Sequence, residues 1–425
     1  MHVVRTVDGS PCAVKVACTV KAHRNPLQWK RIGGNENNLP EPLCMEITER
    51  VEYGYVPNHG EASVSKVNLV TGEAVARYWT APRLEDEVDF EGNPNNIPNI
   101  VDPRAWRTSR IDMDYEGNAW VINTGADEDR YDGDDLIGSI VRIQWDTDGL
   151  TTNDNHGNPM DFGDDQAVQV FQVGEAGDVP RVIVIDEDYI WVGFYEESYF
   201  QKYEYSNGNL NTVGGIVESN DFDFAPYDAK MDKDGIIWFT GRGRGDVGVY
   251  SLNPENNTIE RHAEFNPYAL VVDNDREVVW VTDYDDGLYE FPINDPDNPT
   301  KHTIDGAEEL RGLALDTNDT LWLASSDNGK VIQFLPDVNG GIVGQTYETE
   351  YVRPVGLGLD PLGFIWVVMR DDDTFRVPND PGGGFIEKFN PLEPGLKYAP
   401  HHDHIQVGLL PYAYGNYTAA YKICQ

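Results

Sequence analysis

Residues 226–252 read PYDAKMDKDGIIWFTGRGRGDVGVYSL. A short apolar run ends at the polar turn Lys233-Asp234-Gly235, a second is centred on Trp238, and a third, Val247 to Leu252, follows a Gly-rich loop. Short apolar runs punctuated by Gly and Asp predict three strands of an antiparallel meander. The pattern recurs downstream from Pro267 (PYALVVDNDREVVWVTDYDDGLYEF), Leu310 (LRGLALDTNDTLWLASSDNGKVIQF) and Pro354 (PVGLGLDPLGFIWVVMR). Upstream it recurs from Pro180 (PRVIVIDEDYIWVGFYEESYFQKYEY) and Thr108 (TSRIDMDYEGNAWVINTG). The central tryptophans are Trp120, Trp191, Trp238, Trp280, Trp322 and Trp366, the last four 42, 42 and 44 residues apart.

A period in the low forties with several strands per unit is propeller spacing. A seventh, degenerate unit begins at Leu43: LCMEI as inner strand, Glu52–Val56 as second, SVSKVNLV as third and EAVARYWT as fourth. The expected fold is therefore all-β, a seven-bladed propeller of four-stranded blades with its ring closed by a terminal strand. Residues 43–390 form the propeller, 1–42 an N-terminal extension and 391–425 a C-terminal extension. The seventh unit lacks an obvious outer strand, and either PCAVKVACTVK or HIQVGLLPYAY could complete it. One tryptophan at a fixed place in each second strand is expected to fill the layer between blades.

Charge is the extreme feature of the 425 residues: 32 Lys+Arg against 73 Asp+Glu gives −41. Such a chain is repelled by nucleic acid and by anionic membrane. It suits a halophilic or marine medium or an extracellular, calcium-loaded setting. No run of 18 apolar residues exists, so membrane insertion is not expected. MHVVRTVDGS lacks the apolar segment of a secretory leader, so either the protein is intracellular or the numbering starts after one. Cys12, Cys18, Cys44 and Cys424 all lie near the termini. On one strand, Cys12 and Cys18 would be about 20 Å apart at ~3.3 Å per residue. That leaves Cys12–Cys44 with Cys18–Cys424, or Cys12–Cys424 with Cys18–Cys44, either tying the ends together in an oxidising compartment.

Candidate chemistry follows from the register. Inner strands start near one mouth of the central channel, and position two of each reads Ser109, Arg181, Tyr227, Tyr268, Arg311 and Val355, with Arg110 and Asp228 alongside. Arg110, Arg181, Tyr227, Asp228, Tyr268 and Arg311 are thus candidate ligand-binding residues, the arginines suited to a carboxylate or phosphate. Asp114, Asp186, Asp232, Asp273, Asp316 and Asp360 recur before the first turn of their units, which marks architecture: an Asp there bonds backbone N–H groups of the turn. Two acidic loops offer hard oxygens for Ca2+: Asp146, Asp148, Asn153 and Asp154 in one, Asp127, Asp129, Asp132 and Asp134 in the other. HHDH at 401–404 would place His402 and His404 on one strand face, within reach of a transition metal. His59 and His262 stand alone, as surface or strand residues. No G-x-S-x-G, H-E-x-x-H or P-loop occurs. Arg244-Gly245-Asp246 matches an adhesion-type tripeptide.

The units follow P-x-x-[AIL]-x-[VLM]-D-x-x-G-x-[IL]-W-[VF], and DAKMDKDGIIWFT and GLALDTNDTLWLASSDNGKVIQF resemble the NHL, SMP-30/gluconolactonase and virginiamycin B lyase-like propellers over residues 43–390. The resemblance implies the fold. The lyases of that group follow W-F-T with Glu and use a Glu/His pair with Mg2+; here Gly241 follows Trp238-Phe239-Thr240. Gluconolactonase-like members place a metal-binding Asp through P-D-G; here Tyr227 stands in that place and Asp228 one position on. The expectation is a secreted or surface-exposed binding or structural module, calcium-stabilised, with no catalytic residues. Its partner would be a surface protein, a glycan or other copies of itself. The alternative is a metal-dependent lyase or lactonase working in the central channel.

Overall fold

The computed structural model describes residues 53–81, 107–125, 137–145, 150, 163–186, 188–285, 287–316, 318–336, 341–349, 353–360, 363–370, 384–390, 405–407 and 414–415. The four cysteines, both acidic loops, His401–His404 and the LCMEI strand lie outside the described residues.

The described residues form seven sheets of successive hairpin-connected strands. The first contains β1 (Tyr53–Asn58), β2 (Ser63–Asn68) and β3 (Glu73–Trp79). The second contains β4 (Thr108–Met113), β5 (Ala119–Asn123), β6 (Ile137–Ile143) and β7 (Val168–Ala176). The third is β8 (Pro180–Ile185), β9 (Ile190–Phe194), β10 (Tyr199–Ser206) and β11 (Asn209–Glu218). The opening stretch spans most of the fourth: β12 (Phe224–Met231), β13 (Ile237–Gly245), β14 (Gly248–Asn253) and β15 (Thr258–Ala263). The fifth is β16 (Pro267–Asp273), β17 (Val278–Asp283), β18 (Gly287–Pro292) and β19 (Thr300–Thr303). The sixth is β20 (Leu310–Leu315), β21 (Leu321–Ser325), β22 (Lys330–Leu335) and β23 (Ile342–Glu348). The seventh is β24 (Pro354–Leu359), β25 (Ile365–Met369), β26 (Phe385–Phe389) and β27 (Ile405–Gln406). Of the two stretches that could complete the seventh blade, the C-terminal one does.

Inner strands pack against inner strands in succession, β4 on β8, β8 on β12, β12 on β16, β16 on β20 and β20 on β24. The ring then closes, with β27 against β3 and the Lys388 ammonium of β26 donating to the Leu69 carbonyl. This is a seven-bladed β-propeller. Burial follows radius: β16 is buried along its whole length, whereas β15 is half-buried to exposed and β11 is largely exposed. A sheet with neighbours on both faces needs apolar side chains on both, hence the unbroken runs of the inner strands. At one inner contact only glycine fits, because a Cβ on Gly312 would lie 2.9 Å from the Val355 carbonyl of the next blade.

The recurring Asp and Trp form one device. In four blades the carboxylate caps its turn and also accepts the indole N–H six residues on: Asp114–Trp120 at 2.9 Å, Asp232–Trp238 at 2.8 Å, Asp316–Trp322 at 2.8 Å and Asp360–Trp366 at 3.0 Å. In blade four the other oxygen of Asp232 accepts from the Asp234 and Ile236 amides, and Gly235 takes the positive φ of +82° that the turn requires. Spacing decides the indole bond. Asp186–Trp191 is one residue shorter and Asp273–Trp280 one longer. Both of those aspartates still cap their turns, but neither indole nitrogen has a hydrogen-bond partner among the described residues. All six tryptophans are at most 2% exposed and lie in the layers between blades.

Candidate functional site

Because first and second strands are antiparallel, the start of each inner strand and the end of the strand paired with it reach the same mouth of the channel. Five of the six candidate ligand-binding residues meet there. The Arg110 side chain from blade two crosses to blade four, where its Nε donates to the Tyr227 carbonyl at 2.9 Å and its guanidinium lies 4.7 Å from the Tyr227 ring. Arg181 lies 4.5 Å from the same ring and 5.7 Å from Tyr195. The Tyr227 and Tyr268 hydroxyls are 3.1 Å apart with their rings edge to face. Arg311 sits 5.6 Å from both Tyr268 and Tyr284 and donates to the Glu309 carboxylate at 2.8 Å. Asp228 is the exception: it is buried, and its carboxylate accepts the Leu270 amide of blade five at 3.1 Å. That contact joins two blades.

The residues that sequence reasoning passed over stand four places after the blade tryptophan: Thr124, Tyr195, Arg242, Tyr284, Ser326 and Arg370. His59 follows Tyr55, which faces Lys66 as Trp191 faces Lys202 and Trp366 faces Lys388, by the same interval. These positions end the second strands and complete the mouth. Arg242 is central, its guanidinium 4.0 Å from the Tyr284 ring, 4.8 Å from Tyr268 and 5.9 Å from Tyr227. Its Nη1 donates to the Asn266 side-chain oxygen at 2.5 Å and is 3.4 Å from the Pro267 carbonyl. Tyrosine faces covered by guanidinium planes are favourable cation–π pairs, and they hold the arginines in fixed orientations.

The electrostatics of the mouth run against the net charge. His59 is held well below the usual histidine range, first by burial and then by Arg370, Arg107 and Arg181. The histidine expected to be isolated therefore lies among arginines. Burial alone would raise the Glu309 carboxyl, but bonds from Tyr284 and Arg311 and the charges of Arg311 and Arg353 outweigh it and hold it low.

The channel also receives the chain's own C-terminal strand. β28 (Tyr414–Gly415) pairs in parallel with β4, Tyr414 opposite Arg110 and Gly415 opposite Ile111, and lies against β12 and β24. It thus touches the innermost strands of blades two, four and seven. The adhesion-type tripeptide, by contrast, is built into the frame. Arg244 bonds the Tyr195 carbonyl and the Ser198 hydroxyl and pairs with Glu196 and Asp223, while Asp246 accepts from the Asp223 amide.

No protein-family model matches the chain. No curated protein matches it in sequence. Among solved structures it is similar to a 6-phosphogluconolactonase-like protein of Bacteroides fragilis, with a TM-score of 0.54 and 13% identity, over 85% of this chain and 97% of that one. A counterpart from Bacteroides uniformis gives 0.53 and 12%, covering 85% and 98%. Virginiamycin B lyase from Staphylococcus aureus gives 0.48 and 13%, covering 69% and 85%. At these identities the likeness is one of fold, and the fold is that of the propeller group the repeats resemble.

Proposed function

We propose that the chain is a secreted or surface-exposed propeller serving as a binding or structural module. The observation that supports this most is the C-terminal strand in the channel, beside an arginine that crosses from blade two to blade four. A catalytic channel must admit a substrate to its inner strands, and here the chain itself lies against three of them. The charge of −41 favours a partner other than nucleic acid, such as a surface protein, a glycan or another copy of the chain. On this reading the two acidic loops, 127–134 and 146–154, hold Ca2+ and stabilise the insertions of blade two.

The competing reading is a metal-dependent lyase or lactonase, for which the names of the structural neighbours are the motive. Crystals grown with Mn2+ separate the two by anomalous scattering. A module should give peaks in the acidic insertions and none on the axis. An axial ion with an open coordination position would overturn the module reading.

A further inference from the structure

We infer that the channel mouth is an oxyanion site, in which Arg242 together with Arg181 and Arg311 binds one small carboxylate- or phosphate-bearing ligand. The inference begins from Arg242. Carboxylates outnumber bases by 73 to 32 in this chain, and six of the described arginines pair with one, Arg77 and Arg142 with Glu61 and Glu116 among them. Arg244 pairs with Glu196 and Asp223, Arg261 with Asp246 and Glu264, Arg276 with Asp273 and Asp319, and Arg311 with Glu309. Arg242 has no carboxylate partner among the described residues, although it is only half-buried. Its bonds go to a side-chain amide and a backbone carbonyl, both through Nη1, so the Nε–Nη2 edge makes no hydrogen bond among the described residues. Leaving that edge open, with the plane fixed on Tyr284 and Tyr268, presents two parallel N–H donors, the fork that carboxylate and phosphate oxygens match.

The surroundings define the ligand further. The tyrosine faces that could stack a sugar or an aromatic ring are covered by guanidinium groups, so recognition is by hydrogen bonds and charge. The loops around the same mouth carry Glu196, Asp223, Asp246, Glu264, Asp285 and Glu308. Arg244 and Arg261 offset two of these six carboxylates, and the remaining negative charge disfavours a polyanion more than a small anion with a neutral or cationic remainder. The ligand is therefore compact and carries one anionic group.

The site is independent of whether the channel is catalytic. An axial metal would overturn the module reading and leave this inference standing. The test is isothermal titration of the full chain at low ionic strength with inorganic phosphate, sulfate and acetate in turn, so that tetrahedral and planar oxyanions are compared. Saturable binding of at least one is expected, weakened about tenfold or more in Arg242→Gln. Arg242→Lys, which keeps the charge but not the fork, should bind with intermediate affinity and guards against a misfolded glutamine variant. Arg276→Gln, on a turn away from the mouth, should bind as the parent does. Absence of saturable binding for all three anions, or equal binding by Arg242→Gln and the parent, would overturn the inference.

Discussion

Replacing Lys388 by methionine should be among the most damaging single changes to this ring. Lys388 lies on β26 at the junction of the last blade with the first. Its ammonium is 3.1 Å from Asp360, donates to the Leu69 carbonyl, and lies 4.7 Å from the Trp366 ring. The two charged side chains are 2% and 0% exposed. Burial pulls the Lys388 ammonium below its ordinary range and the Asp360 pair restores part of the difference, so the ion is costly and its partner matters. Methionine keeps the aliphatic bulk and removes the charge. Asp360 would keep its bonds from the Phe364 amide and the Trp366 indole but would lose the buried cation 3.1 Å away that Lys388 supplies. Breaking such a pair costs about 3–5 kcal/mol. With an unfolding entropy of about 2.1 cal/mol/K per residue, a chain of this length should lose roughly 3–6 °C in Tm. Lys202 is the internal control: it faces Trp191 at the equivalent position, 5.4 Å from the ring, with no carboxylate partner among the described residues. Lys202→Met should cost under about 1 kcal/mol. Thermal unfolding followed by circular dichroism reads both. Equal Tm losses for the two variants, or none for Lys388→Met, would refute the reasoning.

The Asp–Trp spacing predicts a second contrast. Trp238→Phe strips a donor from buried Asp232 and should cost about 1.5–3 kcal/mol more than Trp280→Phe, whose indole makes no such bond; urea midpoints of the two variants check it. Alkaline pH should loosen the blades. Burial pushes Tyr203 up to about 12, and burial also raises Tyr199, beside Asp178, and Tyr250. A raised folded-state value means their stabilising contribution is complete below about pH 10 and is lost as pH climbs through 12. Lys388, lowered in the fold, acts in the opposite direction but is one group against three. Unfolding midpoints that do not fall above pH 10, while tyrosinate absorbance titrates as in free tyrosine, would contradict this.

The blades were legible in the sequence because each carries its own punctuation: a proline or turn before the inner strand, a capping Asp, and a Trp at a nearly fixed interval. The recurring aspartates, expected to cap turns, do so, and four also hold the indole, an extra role that depends on spacing alone. The inner-strand arginines and tyrosines were legible as mouth residues from the same register. Arg242 and Tyr284 were not, because the register of the inner strands says nothing of where the second strands end. The other half of the mouth is built where second strands end, four residues past each Trp. Asp228, beside Tyr227 on the same strand, turns its carboxylate to the Leu270 amide of the next blade. No local pattern could place β28, since a two-residue pairing with β4, about 300 residues away in sequence, has no periodicity of its own.

Occupation of the channel by the chain's own strand is read most directly by hydrogen exchange of the peptide containing Tyr414 and Gly415 in the full-length protein. Protection comparable to that of the Ile405–Val407 peptide, which completes the seventh blade, is the predicted result. Exchange at the rate of an unstructured peptide would contradict it, and would reopen the channel to the catalytic reading.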